Sequence, residues 1–139
     1  MREILFRGKR LHDNKWIYGN FVSDCEGNPH IIEPRFFCED GHHLQYEDNT
    51  DTPVFIIPET VGQYTGLTDK NGVRIFEGDV VDYISSDVIG NPKTGTIIVK
   101  DMTDYDTMIY LNHSDELQII GNIHDNPELL GGENNGINR

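Results

Sequence analysis

The sequence predicts a mostly β protein with an N-terminal β-rich lobe and a C-terminal small barrel of the SH3-like type; an α+β fold is the alternative. Short apolar segments follow one another, each bounded by Gly, Pro, Asn or Asp, as is typical of strands. Helical periodicity is nearly absent. Glycine corners between short strands, as at Gly78 and Gly95, suit a small barrel, although an eight-strand sandwich would produce a similar pattern.

The first sixty residues predict a meander followed by an irregular segment. Strands are expected at residues 4–10, 16–23 and 30–33, with turns between them. Residues 35–53 are acidic, contain histidines and show no periodicity, which predicts a long surface loop. Because function often lies on loops, this segment is the first candidate for it.

The C-terminal part predicts a series of short strands around one tight hairpin. The Asn71-Gly72 pair favours a hairpin turn because both residues tolerate positive φ, and Gly78 allows a sharp corner. One helical turn is expected at residues 126–130. The predicted strands lie at residues 54–57, 60–67, 74–76, 80–84, 95–100, 108–112 and 117–123. The expected divisions are a lobe over residues 1–60, a barrel over 61–130 and a flexible tail over 131–139.

Charge and hydropathy argue against several classes of protein. The 139 residues carry a net charge of −13, from 24 acidic and 11 basic side chains, so the surface repels phosphates and general nucleic-acid binding is disfavoured. Apolar runs such as residues 54–57 are far shorter than the roughly 20 residues that span a bilayer. Charges interrupt the first apolar residues, which argues against a signal peptide. We expect a cytoplasmic protein with no membrane contact.

The first two predicted strands contain five candidate interaction residues. Arg7, Lys9 and Arg10 form a basic stretch that could contact nucleic acid or an acidic partner, although a solvated strand and turn is the simpler interpretation. Trp16 and Tyr18 are two positions apart, so they share one face of a strand. Exposed aromatic residues would form a platform for a peptide or a base, whereas the simpler interpretation is that they fill a core.

The irregular segment contributes two more candidates, His42 and His43. Together with Cys25 and Cys38 they include the atom types that bind zinc. The two cysteines stand far apart, without a Cys-x-x-Cys pair, so free thiols and solvated histidines are the simpler interpretation. We predict no metal and no cofactor.

No catalytic group stands out elsewhere in the sequence. Glu77 and Asp79 have the residue types of a general acid and base pair, but Gly78 between them indicates a structural corner. The acidic residues 101–106 lack the glycine and terminal glutamate of an EF-hand calcium loop. No motif pairs a nucleophile with a base. We therefore expect a protein that is not an enzyme.

Several distinctive motifs lie along almost the whole length of the chain. They are Phe6-Arg7-Gly8-Lys9, Trp16-Ile17-Tyr18-Gly19, Ile57-Pro58-Glu59-Thr60-Val61-Gly62-Gln63-Tyr64-Thr65-Gly66-Leu67, Asp69-Lys70-Asn71-Gly72, Phe76-Glu77-Gly78-Asp79-Val80-Val81, Ile120-Gly121-Asn122-Ile123 and Asn126-Pro127-Glu128-Leu129. In these motifs the chain resembles the YopX family of phage and prophage proteins. The resemblance implies an N-terminal lobe, a C-terminal SH3-type barrel and a gene carried by a phage or prophage, and it assigns no activity or catalytic residue.

Three functional hypotheses follow. The leading one is a non-enzymatic phage accessory protein that binds a host or phage protein, or associates with itself into a homo-oligomer. The alternative is a nucleic-acid-linked protein, which either binds through the basic first hairpin or imitates the charge of DNA. A metal-dependent hydrolase is the third and weakest.

Overall fold

The computed structural model describes residues 3–32, 36–37, 45–46 and 54–131. Two compact units divide between Gln63 and Tyr64. Antiparallel strands dominate each unit, so the prediction of a mostly β protein is confirmed.

Unit 1 contains an antiparallel meander, as predicted. Its strands are β1 (Phe6–Lys9), β2 (Trp16–Ser23), β3 (Pro29–Ile32), β4 (Phe36–Phe37), β5 (Gln45–Tyr46) and β6 (Val54–Phe55). Strands β3, β2 and β1 are neighbours in that order, and β6 extends the sheet beyond β3. A 3₁₀ turn, Pro58–Thr60, follows β6. The first two residues of the next strand, β7 (Gly62–Thr68), pair with the other edge of β1.

The segment at residues 35–53, predicted as an aperiodic loop, contains the strands β4 and β5. These pair antiparallel with each other, so the loop prediction is wrong for their four residues. Aromatic residues favour strands, and the surrounding acidic residues obscured that signal. Cys38, His42 and His43 lie outside the described residues, and so does the tail after residue 131.

The core of unit 1 forms on one face of this sheet. Ile17, Ile31 and Ile56 are almost fully buried there. Gly8 lies opposite Ile17, and a Cβ atom at Gly8 would lie 2.5 Å from Ile56 Cγ2. Glycine therefore lets the two strands pack closely on the isoleucine cluster. Because successive residues of a strand face opposite sides, the neighbours of Ile17 on β2 lie on the other face.

Unit 2 continues β7 into a hairpin and adds a three-stranded sheet. β7 pairs antiparallel with β8 (Arg74–Phe76), as predicted, although only Gly72 of the Asn71-Gly72 pair takes a positive φ, of 82°. The remaining elements are β9 (Asp79–Ser86), β10 (Pro92–Ile98), α1 (Tyr105–His113), β11 (Glu116–Asn122) and α2 (Glu128–Gly131). The three-stranded sheet has the order β10-β9-β11. An SH3-like closure of these strands stays a prediction, and the strand order does not conflict with it.

The prediction of a strand at residues 108–112 is wrong, because α1 occupies this segment. Asp104 caps the helix by accepting a hydrogen bond from Thr107 N at 3.0 Å, the usual role of a short polar side chain at this position. Thr107 and Leu111 are both buried and four residues apart, so they share the face that packs inward. Leu111 joins a core formed with Ile75, Val81, Val99 and Leu117.

Two asparagines stabilise the C-terminal motif of unit 2. Asn122 Oδ1 accepts hydrogen bonds from His124 N and Asp125 N, and Asn126 Oδ1 accepts one from Asn122 N at 3.1 Å. A Cβ atom at Gly121 would lie 2.5 Å from Asn126 Oδ1. This motif therefore specifies a turn, and α2 follows it, where a helical turn was predicted.

Candidate functional site

Four of the seven candidate interaction residues lie together on one face of unit 1. β1 and β2 are antiparallel, with Arg7 opposite Tyr18 and Lys9 opposite Trp16. Directly opposed residues of antiparallel strands have side chains on the same side of the sheet. The register therefore places two cations and two aromatic residues, which the sequence analysis treated as separate candidates, on one face of the sheet.

The two cations lie over the Trp16 ring. The Arg7 guanidinium carbon is 4.5 Å from the ring centroid, and Lys9 Nζ is 5.4 Å from it, both within the range of a cation–π interaction. Arg7 is only 6% exposed, whereas Tyr18 is 45% exposed. The indole is half-buried. This arrangement fixes the orientation of the indole and leaves Tyr18 as the more accessible aromatic side chain.

The same face continues across β3 and β6. Val22 on β2 lies opposite His30, and His30 lies opposite Phe55. The rings of His30 and Phe55 are in contact, with centroids 4.3 Å apart, and Phe55 is 55% exposed. We call this surface the aromatic face. Its members are Arg7, Lys9, Trp16, Tyr18, His30 and Phe55.

The interpretation of the aromatic pair on β2 as core is wrong for Tyr18. Ile17, which precedes Tyr18, fills the core instead. The strand predicted at residues 54–57 shows the same alternation, because Phe55 is exposed beside the buried Ile56. An uninterrupted apolar run hides the alternation of a strand, so hydropathy alone could not identify Phe55 as a surface residue.

Arg10 has a partner within its own turn. Its Nε donates to Asp13 Oδ1 at 3.0 Å, and its Nη2 forms an ion pair with Asp13 Oδ2. This hydrogen bonding holds the pKa of Asp13 below its ordinary value. Asp13 also accepts a hydrogen bond from Lys15 N at 3.1 Å. Arg10 therefore helps to close the turn between β1 and β2.

The 3₁₀ turn fixes the end of β1 that presents Lys9. Lys9 N donates to Thr60 Oγ1 at 2.9 Å, and the same hydroxyl donates to Ile57 O at 2.7 Å. Ile57 N in turn donates to Lys9 O at 2.9 Å. The motif at residues 57–60 thus positions the backbone beneath the aromatic face.

The residue types weighed as metal ligands and as an acid and base pair have other places in the described part of the chain. In that part, no three His, Cys, Asp or Glu side chains are placed to hold a metal ion, and Cys25 is an exposed free thiol. At the predicted corner, Gly78 has a φ of 95°. Asp79 is only 3% exposed and accepts a hydrogen bond from Phe76 N at 2.8 Å. Asp79 therefore stabilises the corner, as the sequence indicated.

These features define a class of small antiparallel β protein with two units and an aromatic sheet face. Among the residues described, no helix is long and apolar enough to cross a membrane. The chain belongs to the YopX family, whose model, described as YopX protein, matches residues 5–131.

The chain is similar over most of its length to a solved structure. It is the crystal structure of protein EF1440 from Enterococcus faecalis, with 22% sequence identity and a TM-score of 0.48; the match covers 94% of this chain and 99% of that chain. No curated protein matches the sequence.

Proposed function

We propose that this protein is a non-enzymatic accessory protein of a phage or prophage that binds another protein in the cytoplasm of the bacterial host. The observation that carries the proposal is the aromatic face, on which Tyr18 and Phe55 are exposed and Arg7 lies over the Trp16 ring. Tyr, Trp and Arg contribute most of the binding energy at many protein interfaces. Aromatic side chains on a rigid sheet also lose little conformational entropy on binding.

Charge favours a protein partner over a nucleic acid. The net charge of −13 repels phosphates, Arg7 already stacks on Trp16, and Arg10 is paired with Asp13. The nucleic-acid alternative predicts a complex that weakens steeply with salt. A low-salt gel shift that is lost when Arg7, Lys9 and Arg10 are replaced together by Ala would favour this alternative.

Self-association is one form of the proposed binding. Light scattering of the purified protein over a hundredfold range of concentration distinguishes the two forms. A mass that rises with concentration for the wild type but not for a Tyr18→Ala, Phe55→Ala variant assigns the aromatic face to a homo-oligomer, and a constant monomer mass favours a different protein as the partner.

The direct test removes the exposed aromatic side chains. A variant with Tyr18→Ala and Phe55→Ala should keep its fold, because both residues are about half exposed and neither belongs to the isoleucine core. Binding to the partner should fall roughly tenfold or more, as is typical of interface aromatic residues. The partner is captured on the tagged wild type from phage-carrying cells, then purified and titrated by calorimetry.

The matched control is Tyr105→Ala in unit 2, which removes an aromatic side chain that is 70% exposed and lies outside the aromatic face. This control should bind as the wild type does. Equal affinity of the wild type and the Tyr18/Phe55 variant, with the control also unchanged, would refute the assignment of the face.

A further inference from the structure

Three hairpin turns of this protein share one hydrogen-bond pattern. They begin at Asp24, Asp69 and Asp87, and we call them the Asp turns. In each, the aspartate amide donates to the carbonyl four residues later, and the amide three residues later donates to the aspartate carbonyl. One carboxylate oxygen accepts hydrogen bonds from the amides two and four residues later. The residue three positions later is a glycine with φ between 82° and 91°.

The Asp turns differ in the two residues at their tips. The first has Cys25-Glu26, the second Lys70-Asn71 and the third Val88-Ile89, and all six residues are exposed. Val88 is 102% exposed and Ile89 is 78% exposed, more than any other large hydrophobic side chain in the described residues. The third turn therefore presents two branched aliphatic side chains fully to solvent.

The turn itself does not require these apolar side chains. Polar and small residues close the same hydrogen-bond pattern at Asp24 and Asp69, because the aspartate carboxylate and the glycine carry the geometry. Exposed branched apolar groups bring no benefit to the free protein in water. The hydrogen bonds of the turn therefore do not account for the apolar pair at residues 88–89.

We propose that Val88 and Ile89, the apolar tip, insert into an apolar cleft with a cationic rim on a protein partner. Four hydrogen bonds close the turn around Asp87, so the tip is ordered before binding and little entropy is lost on docking. A preorganised apolar anchor in a partner's pocket is a common centre of protein interfaces.

Charge around the tip selects this kind of partner. Asp87 lies at the base of the turn, and Ser86, the residue before it, donates through Oγ to Asp115 Oδ2 at 3.0 Å. Lys93 offsets part of this negative charge. A second copy of the chain carries the same net charge of −13, so it repels the surface around the tip, and anionic lipids repel that surface as well. A cationic rim on another protein is therefore the complementary surface.

This inference rests on the proposed function only in taking the partner to be a protein. The apolar tip belongs to unit 2 and the aromatic face to unit 1, so each can fail without the other. Substitutions at Tyr18 and Phe55 test the face, and substitutions at Val88 and Ile89 test the tip.

The test places a photoreactive group at the tip. The full chain with Val88→p-benzoylphenylalanine is irradiated in phage-carrying host cells, and the adduct is identified by mass spectrometry. We expect one protein adduct, from a protein with a basic surface. That protein, once purified, should bind the wild type with an affinity that falls with salt, and it should bind a Val88→Lys, Ile89→Asn variant roughly 10–100-fold more weakly.

This double variant copies the tip of the Asp69 turn, so it should fold with an unchanged circular dichroism spectrum and melting temperature. Asn71→Ala changes an equivalent polar tip and should leave binding unaltered. The proposal is overturned if no adduct forms, if the adduct is only with a second copy, if vesicles of anionic lipid bind the wild type but not the variant, or if the variant binds the purified partner as the wild type does.

Discussion

The Asp69 and Asp87 turns have the same backbone hydrogen bonds but different surroundings. Asp69 is 7% exposed, and its second carboxylate oxygen accepts a hydrogen bond from Ile119 N at 3.2 Å. Lys70 N also donates to Leu117 O at 2.8 Å, so this turn is attached to β11. The Asp87 turn extends into solvent with its apolar tip. A local sequence pattern thus sets the geometry of a turn, whereas tertiary contacts determine what the turn does.

Replacing each aspartate separately by alanine should give the largest difference in the free energy of unfolding between the two turns. Asp69→Ala leaves three backbone amides without their acceptor, one of them on β11, and we expect a loss of about 3 kcal/mol in the free energy of unfolding. Asp87→Ala should cost less, because water replaces the carboxylate at an exposed turn. Urea unfolding of both variants measures the difference. Equal losses would show that attachment to β11 contributes nothing.

Lowering the pH should also destabilise the protein more through Asp69 than through Asp87. Burial raises the pKa of Asp69, but hydrogen bonds from the amides of Val73, Ile119 and Asn71 outweigh it and keep the pKa below its ordinary value. A carboxyl with a lowered pKa in the folded state stabilises the protein above about pH 4, and this stability is lost as the pH falls through the folded-state pKa. We expect Asp69→Asn to flatten the decline in melting temperature between about pH 4 and pH 2.

The pKa of Asp87 is also held low, first by the hydrogen bond from Asn91 N. Its turn is exposed, so solvent screens the interaction and Asp87→Asn should change the same pH profile less. A profile in which the Asp87 variant shows the larger change would contradict the role given to β11.

The smallest contrast concerns the glycines of the two turns. Gly72 and Gly90 have φ values of 82° and 91°, and a Cβ atom would meet nothing within 4 Å at either position. Gly72→Ala and Gly90→Ala should therefore each cost about 1 kcal/mol, through the backbone conformation alone. Chemical denaturation of the two variants provides the comparison. If the two losses of stability differ by more than the experimental error, the backbone energies of the two turns are not equivalent.

Much of the fold follows from local signals in the sequence. The meander of unit 1, the β7–β8 hairpin and the corner at Gly78 were all predictable, because glycine and short polar residues mark chain reversals. α1 was not predicted, since its apolar run at residues 108–111 is too short to separate helix from strand. The capping residue Asp104 was the available signal, three positions before Thr107.

The candidate site was only partly predictable. Alternation placed Trp16 and Tyr18 on one face, but only the strand register shows that Arg7 and Lys9 lie on that face too. The apolar tip was missed, although the pattern Asp-x-x-Gly-Asn-Pro occurs twice, at residues 24–29 and 87–92. Comparing those two stretches would have singled out Val88 and Ile89 as residues that the turn does not need.

The division of labour within the Asp turns has an evolutionary consequence. The aspartate and the glycine hold the backbone of the turn. The side chains of the two tip residues take no part in the hydrogen bonds that close it, and of their two amides only that of the second tip residue donates to the carboxylate. Both side chains can therefore vary without refolding of the hairpin. A lineage of such proteins could follow a changing target by substitutions at two adjacent codons, while the aspartate and the glycine keep the turn.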